Sequence, residues 1–535
     1  MLCIQNVKLK LLQMNNLGGT IQITLEQLLK GVSGAQVATD QWSELVGRLC
    51  LDSRKITDGG TFIALQGISV DGFQNDGRAY ILLALKNGAN FIIAEALESE
   101  DFKLMFKEQL TDKFIWVENL REQVSAIASN YYSAPSKELK NIAVTGTNGK
   151  TSCSYLIAKT LQNMQFECFL MGTLGVGSCD QLVIQNNTTA DAIKIQETLA
   201  KAVESGAQFS AMEISSHGIH QFRAKAVEIN TAIFTNLTRD HLDYHGDMKS
   251  YGEAKRQLFL RKNLKNAVIN VDDKLGRKLA KDDDIVANKW FITTNLPTAG
   301  ADLQRWIWAE DVVFSLEGIQ ANIFTPWGRG KLESSLIGAF NLSNLLLVVA
   351  ALGGILKDLP LILAALKKSK APPGRMDTLG FKTSESFNKP LVIIDYAHTP
   401  DALEKALFAI REHCTGLITC VFGCGGDRDT GKRPLMAKVS EKLANRVIVT
   451  SDNPRMESIA QIKSDIFDGF ANPEKVQYFE SRAEAILNAI EHSRTGDAVL
   501  VAGKGHEEYQ IIGKEKIFFS DKVECKNALE AIEND

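Results

Sequence analysis

Histidine is scarce in this chain. Its 535 residues hold eight histidines, against 60 lysines and arginines and 64 aspartates and glutamates. The formal net charge is −4, so no excess of positive charge exists. That excludes a protein held to nucleic acid mainly by phosphate contacts, and no nucleic-acid partner is expected. Long apolar runs are missing too. None approaches the ~18 residues of a membrane span, so no membrane insertion is expected. The opening MLCIQNVKLKLLQM breaks its apolar part with two lysines and lacks a clean signal-peptide core and a small-residue cleavage site. The expected location is the cytoplasm. The nine cysteines are scattered, and the closest pair, Cys420 and Cys424, has no second pair to complete a zinc site. They read as reduced, mostly buried thiols. There is no internal repeat and no low-complexity segment. What remains is an ordinary globular composition, 45% hydrophobic and 23% charged. The length suits three or four domains of about 150 residues.

One stretch orders the rest. Ile142 to Tyr155 reads IAVTGTNGKTSCSY: a short apolar strand, a glycine-bearing turn, then a helix-like segment. Glycines bring backbone N–H groups close to phosphate oxygens, a helix N-terminus adds partial positive charge, and Lys150 and Thr151 supply a cation and a hydroxyl. The usual phosphate loop has glycine five places before Gly149, where this chain has Val144. By itself the stretch is either a variant nucleotide site or a plain strand-to-helix turn.

Around it the chain alternates strands and helices, which predicts α/β units with mostly parallel sheets. A small unit is expected over residues 20–137. It has helical spacing at Thr24 to Lys30, strands at Thr61 to Leu65, Phe91 to Ala94 and Phe114 to Val117, and a helix at Tyr80 to Asn87. Ser133 to Lys140 reads as a linker. A second unit, 138–368, has strands at Phe209 to Ile214, Ala232 to Asn236 and Ala267 to Asn270. The first two end in polar turns, SSHG and LTRDHLDYHGD, as ligand-binding strands of a doubly wound sheet do. Residues 280–330 read as irregular. Helices are expected from Gly338 to Leu352 and from Pro360 to Lys368, the latter with proline in its first turn. SKAPPGRM marks a second linker. Residues 369–535 repeat the alternation, with strands at Leu391 to Ile394, Leu417 to Phe422, Arg446 to Thr450 and Ala498 to Ala502.

Several residues carry chemistry in this pattern. Glu213 ends a strand downstream of the phosphate loop, where a carboxylate either holds Mg²⁺ or caps the next turn. Asn236, Asp240 and His241 follow the next strand and could complete a metal shell. Lys255 falls on the apolar stripe of a helix predicted over Ser250 to Leu260, with Tyr251 and Leu258. It either snorkels or is drawn into a site and paired or modified there. Asp452 to Arg455 (DNPR) is either a stiff turn or a loop presenting a guanidinium fork to a carboxylate. Arg428, in GGDRDTGKR, is a second such clamp, and Glu507, in GKGHE, could take an ammonium group. Six of the eight histidines, His217, His220, His241, His245, His398 and His506, lie in these stretches.

Taken together the motifs resemble the Mur ligases. The resemblance covers nearly the whole chain: DSR at Asp52, TGTNGKTS at Thr145, NTT at Asn187, MEISSHGIHQFR at Met212 and TNLTRDHLDYHGD at Thr235. It continues with YGEAKRQLF at Tyr251, GAFN at Gly338, GRM at Gly374, DYAHTPDAL at Asp395, FGCGGDRDTGKRP at Phe422, DNPR at Asp452 and GKGHEEYQ at Gly503. DSR, DYAHTP and DNPR point to the branch that adds the third residue of the peptidoglycan stem peptide. The resemblance implies three α/β domains: one for the UDP end of the substrate, a central ATPase and a C-terminal amino-acid domain. It implies that UDP-MurNAc-L-Ala-D-Glu, meso-diaminopimelate and ATP give the tripeptide, ADP and phosphate. ATP and Mg²⁺ would be served by Gly146, Thr147, Asn148, Gly149, Lys150 and Thr151, with Asn341 and Asn344 near adenine. Thr151, Glu213, His241 and Lys255, the last as a carbamate, resemble the family's metal ligands, and Lys150, Glu213, His241 and Lys255 its catalytic set. Ser53, Thr188, Thr189, Ser215, Gln221 and Arg223 look like nucleotide-sugar contacts. Arg428, Asp452, Asn453, Arg455, Gly503 and Glu507 would bind diaminopimelate. In this family an arginine closing the DNPR loop goes with diaminopimelate, whose second carboxylate needs a cation. A monomer is expected. The chain departs from the pattern at Gly67 to Arg78, with two DG pairs where one is usual, and in the residues before Gly19. Three rivals compete. An L-lysine-adding ligase would not need Arg455. A folylpolyglutamate synthase would lack the DSR-bearing domain. A non-catalytic scaffold relative would have lost the catalytic positions.

Overall fold

The computed structural model describes residues 21–37, 40–67, 69–70, 73–74, 76–96, 113–185, 187–297, 302–380 and 389–532. The residues before Gly19, and the core of the 67–78 loop with its first DG pair, lie outside these. Two compact units divide the chain, 1–291 and 292–535.

In the first unit a small sheet holds β1 (Ala35–Gln36), β2 (Leu49–Cys50), β3 (Thr61–Ala64), β4 (Phe91–Glu95) and β5 (Phe114–Val117). The order is β1-β5-β4-β3-β2, parallel except at β1. All four residues of β3 are buried, as expected of a strand covered on both faces. The helical spacing at Thr24 gives one short turn, Leu25–Leu28, closed by a capping box between Thr24 and Gln27. Helix α1 (Leu120–Tyr131) packs its apolar stripe (Leu120, Val124, Ile127 and Ala128) into the core.

The segment read as a linker, Ser133 to Lys140, is instead packed structure. Pro135 and Ser136 are buried in a short 3-10 turn, Asn141 donates to the Ser136 carbonyl at 2.7 Å, and the Glu228 N–H donates to the Ser136 hydroxyl. The stretch read as a spacer because the partner that ties Ser136 into the fold, Glu228, lies 92 residues away.

The second sheet of this unit is doubly wound. Its parallel part holds β6 (Lys140–Thr145), β7 (Cys168–Gly172), β8 (Phe209–Glu213), β9 (Thr231–Phe234) and β10 (Asn266–Asn270) in the order β7-β8-β6-β9-β10, and Gly175–Ser178 and Gln181–Val183 extend it antiparallel beyond β7. Helix α2 (Lys150–Asn163) follows β6, α3 (Ser216–His220) follows β8, and α4 (Met248–Arg256) follows β9. The central position of β6 puts the strand reversal, and with it the ligand crevice, at its carboxyl end.

The second unit opens with a meander, which corrects the irregular reading of 280–330. After a strand at Asn288–Thr293 come β11 (Trp306–Ser315), β12 (Gly318–Thr325) and β13 (Gly328–Ser334), paired antiparallel. Ile319, Ala321 and Ile323 alternate inward along β12. A bulge between Glu310 and Val313 breaks the period in β11, which hid the pattern.

Helix α5 (Ala339–Leu356) corrects a second expectation. It has the length and composition of a membrane span, with a mean hydropathy of 2.0, and two-thirds of it is buried in the protein. Asn341, Ser343 and Asn344 interrupt the run in sequence, so no single apolar stretch stood out. Helix α6 (Leu359–Leu366) follows, capped by Asp358 with Pro360 in its first turn.

The remaining sheet holds β14 (Asp377–Leu379), β15 (Leu391–Asp395), β16 (Ile418–Phe422), β17 (Arg446–Thr450), β18 (Gln477–Phe479) and β19 (Ala498–Ala502). Its order is β14-β15-β19-β16-β17-β18, parallel except at β14. A hairpin, β20 (Tyr509–Ile512) and β21 (Glu515–Phe518), lies beyond it. The eight described cysteines are free thiols, and burial pushes the Cys420 and Cys424 thiols up to about 12.

Candidate active site

The phosphate loop sits at the carboxyl end of β6. Gly149, at φ 85°, turns the chain into α2, and no side chain caps that helix. Gly146 is at φ 150°, and a Cβ there would lie 1.8 Å from the Thr235 hydroxyl. Asn236 clamps the loop: its carbonyl oxygens accept from the Thr147 N–H (backbone) and the Asn148 N–H (side chain), both at 2.9 Å. Asn236 thus shapes the loop from β9, a different role from the metal shell its position suggested.

The Thr151 hydroxyl donates to Glu213 Oε2 at 2.9 Å, and the Thr173 N–H to Oε1 at 2.8 Å. Burial pushes the Glu213 carboxyl above its ordinary value, against the pull of the Lys150 ammonium and the hydrogen bonds from Thr173 and Thr151. Lys150 Nζ folds back onto the carbonyls of Gly146 and Thr147, at 2.9 and 2.7 Å.

Lys255 is 1% exposed. Its Nζ donates to the same Gly146 carbonyl at 2.9 Å and lies 4.4 Å from the centre of the Tyr251 ring. Burial, then the neighbouring Lys150 charge, brings its pKa down to about 6. A neutral amine is the result near pH 7, so the snorkelling alternative is excluded by the geometry.

Around these groups Thr188, Thr189, Ser215, Gln221 and Arg223 form one network, from which Ser53 stands apart. Thr189 Oγ1 donates to the Glu213 carbonyl and accepts from the Ser215 N–H, both at 2.9 Å. Thr188 and Thr173 hydroxyls meet at 3.1 Å. Arg223 reaches the Thr189 carbonyl at 2.6 Å and Gln221 Oε1 at 2.7 Å, and Gln221 continues to the Tyr244 hydroxyl. Ser215 caps α3 through the Gly218 N–H. His217, His220, His241 and His245 cluster with Tyr244 and Tyr251; His217 and His241 centroids lie 4.8 Å apart. Burial holds His217 below the usual histidine value and His245 at about 4. His241 Nε2 lies 3.5 Å from Asp240, and both are exposed. Ser53 is buried in a 3-10 turn capped by Asp52.

In the second unit, Asn453 is 4% exposed and central. Its Nδ2 donates to Glu507 Oε2 at 3.1 Å, and its Oδ1 accepts from Lys504 Nζ and the Ile511 N–H. Asp452 Oδ1 accepts from the Asn453 N–H, and Gly503, at φ 121°, has no room for a Cβ against Asp452 Oδ2. Arg455 adopts φ 52° and donates to the Gly426 carbonyl at 2.8 Å. Arg428 is exposed on the neighbouring loop. Asn341 and Asn344 are buried in α5, where Asn344 donates to Asn341 Oδ1 at 2.9 Å. His398 and His506 pack against Tyr396.

Sequence reading missed Thr173, Tyr251 and Lys504. Thr173 and Tyr251 touch the site only through folding. Lys504 had a signal, a lysine three residues before Glu507, and is fully buried between Asn453 and Glu507.

The donors around Thr151 are hard oxygens, the set Mg²⁺ takes. Among the described residues no three His, Cys, Asp or Glu side chains gather into a complete metal site, so an ion here needs phosphate oxygens and water to fill its shell. Glu213→Gln is expected to lower turnover about 10- to 100-fold with no loss of melting temperature, because at pH 7 the buried charge itself costs stability. Steady-state phosphate release and a thermal melt check this; unchanged turnover would remove Glu213 from the site.

Comparison with known proteins gives a consistent answer along the chain. Residues 46–132 match the model for "Mur ligase family, catalytic domain", 144–352 that for "Mur ligase middle domain", and 374–505 that for "Mur ligase, glutamate ligase domain". The chain is 46% identical over 489 residues to the UDP-N-acetylmuramoyl-L-alanyl-D-glutamate–2,6-diaminopimelate ligase of Ectopseudomonas mendocina strain ymp, covering 91% of this chain and 96% of that one. A solved ligase of the same description superposes with a TM-score of 0.70 at 34% identity, covering 96% of this chain and 99% of that one. A Thermotoga maritima MurF ligase solved with ADP shares the fold at a TM-score of 0.54 and 18% identity, covering 91% of this chain and 97% of that one.

Proposed function

The chain belongs to the Mur ligase family, and from that premise we propose that it joins meso-diaminopimelate to UDP-MurNAc-L-Ala-D-Glu, with ATP cleaved to ADP and phosphate. One observation carries the reading: the hydrogen-bonded path Thr151–Glu213–Thr189–Arg223, which ties the phosphate loop to the predicted substrate contacts. The D-Glu carboxylate attacks the γ-phosphorus of ATP and ADP leaves. The diaminopimelate amine then adds to the acyl phosphate, and the tetrahedral state expels phosphate. Positioning and charge neutralisation supply the rate.

Lys150 and the N–H groups of the Gly146–Thr151 loop hold the ATP phosphates, and Asn341 and Asn344 would lie near adenine. Ser53, Thr188, Thr189, Ser215, Gln221 and Arg223 hold the nucleotide sugar. Arg428, Asp452, Asn453, Arg455, Gly503 and Glu507 hold diaminopimelate, with Glu507 toward an ammonium and Arg455 toward a carboxylate. Thr151, Glu213, His241 and the carbamate of Lys255 would hold Mg²⁺, which neutralises phosphate charge when bound. Lys255 is suited to modification because its amine is neutral: the nitrogen adds to CO₂, a C–N bond forms, and a proton is released. The domains run 20–137, 138–368 and 369–535, in keeping with the three family matches. Dependence on ATP and a UDP-linked substrate places the reaction in the cytoplasm.

Phosphate release by the purified chain, with each amino acid in turn, tests this. Turnover with diaminopimelate and none with L-lysine is expected. Turnover with lysine alone overturns the substrate, and none with either, in folded protein, leaves a scaffold.

A further inference from the structure

A cavity of about 530 Å³ opens in the first unit between β3 and the start of α1, lined by Leu51, Ser53, Leu65, Tyr80, Leu83 and Arg121 among others. It is roughly the size of small-molecule pockets in general. One side is apolar, from the leucines and the tyrosine ring. Cations nearby differ in how they are engaged. Arg54 is mostly exposed and forks onto Asp52 at 2.9 and 3.0 Å. Arg78 pairs with Asp76 at 2.6 Å. Arg121 is half-buried, its Nη2 donates to the Gln66 carbonyl, and among the described residues no carboxylate pairs with it. Glu95 and Asp76 attract it only at a distance, and Arg223 repels it. Burial is the main cause that lowers its pKa, yet a guanidinium keeps its proton throughout the physiological range.

The position is unfavourable on local grounds. Arg121 sits in the first turn of α1, where the helix dipole disfavours a cation, while Glu122 beside it follows the usual preference. A residue that breaks a local rule, with a desolvated charge and no carboxylate partner among the described residues, calls for an anion from outside the chain.

We propose that Arg121 binds the diphosphate of the nucleotide-sugar substrate in this cavity and so sets its affinity. The inference rests on the reading of residues 20–137 as the UDP-binding segment. The base and ribose then lie against the apolar wall, and the diphosphate meets the face of the guanidinium that the Gln66 carbonyl leaves open. The chemistry is specific to a dianionic linker: a neutral nucleoside gains nothing from Arg121.

Calorimetric titration of wild-type, Arg121→Met and Arg121→Lys chains with UDP and with uridine tests it. Arg121→Met is expected to weaken UDP about 10- to 100-fold, the range for a charge-assisted hydrogen bond. Uridine affinity should change less than about twofold, and Arg121→Lys should recover part of the loss. In turnover, KM for the nucleotide dipeptide rises more than kcat falls. A thermal melt confirms that each variant is folded. UDP affinity within about twofold of wild type in Arg121→Met overturns the inference, as does an equal loss for uridine, which would make Arg121 a structural wall. If the wild-type chain binds neither UDP nor its nucleotide-sugar substrate, the UDP-binding reading of the segment falls as well.

Discussion

Replacing Lys255 by methionine should lower turnover on the order of a thousandfold while leaving the fold at least as stable at pH 7. The two effects have opposite signs because of where the amine sits. Lys255 Nζ and Lys150 Nζ donate to one carbonyl, that of Gly146, each at 2.9 Å. Two ammonium groups in that arrangement repel, and burial adds to the cost, so Lys255 gives up its proton near pH 6. The unfolded chain holds that proton up to about 10.5. Between these values the unfolded state binds more protons, so stability rises with pH across the window and is lost as pH falls through about 6. Methionine keeps the volume against Tyr251 and removes this dependence. Melting curves at several pH values should therefore flatten in the variant, and at pH 7 its melting temperature should match or exceed that of wild type. On the proposed reading turnover falls because the neutral amine would capture CO₂, and the resulting carbamate would put an anion in place of a cation beside the phosphates. Wild-type activity lost below pH 6 should return with added bicarbonate, and the variant should recover partly with a small carboxylate such as formate. A variant that keeps more than about a tenth of wild-type turnover would reduce Lys255 to a packing residue.

How far the sequence carries toward this site depends on the range of each contact. The phosphate loop was legible because strand, glycines, lysine and helix are neighbours in the chain. Lys255 was legible as an anomaly, since a lysine on an apolar stripe breaks the helix pattern, but its partner Gly146 lies 109 residues away. Thr173 gave no signal. It reaches Glu213 only because β7 and β8 run side by side. The same limit hid Asn236, whose clamp on Thr147 and Asn148 reads from sequence as a metal-binding position. Fold class followed from alternation, and four of the six strands of the last sheet fall within a residue or so of their expected places, while the short edge strands β14 and β18 were not anticipated. The meander over β11 to β13 did not, because a bulge shifts its period and its turns carry single glycines at Gly318 and Gly328 in place of a hairpin dipeptide.

Arg455→Met should raise KM for diaminopimelate about a hundredfold or more, the cost of removing one partner of a desolvated charge pair, with KM for ATP and the nucleotide substrate unchanged. The backbone of Arg455 is held in the left-handed region at φ 52°, a conformation that costs a non-glycine residue about 1–3 kcal/mol. Its N–H donates to the Ile511 carbonyl at 3.0 Å and its own carbonyl accepts from Gly513 at 2.8 Å, so β20 and the turn beyond it pin the loop. One arm of the guanidinium is fixed on the Gly426 carbonyl, and among the described residues no carboxylate pairs with it. A strained backbone that delivers an unneutralised fork makes sense if the fork meets a carboxylate that arrives with the substrate. The distal carboxylate of diaminopimelate is such a group, and lysine lacks it. Arg455→Gly separates the two contributions, because glycine relaxes the backbone strain while removing the charge. If the side chain sets specificity, Arg455→Gly loses diaminopimelate as severely as Arg455→Met does, although it melts no lower than wild type. Arg455→Lys keeps the charge without the fork and should fall between wild type and these two variants. The ratio of kcat/KM for diaminopimelate over lysine should fall moderately in Arg455→Lys and collapse equally in Arg455→Gly and Arg455→Met, read from phosphate release with each amino acid. A KM for diaminopimelate within threefold of wild type in Arg455→Met would mean that the second carboxylate is bound elsewhere, with Arg428 the next arginine to replace.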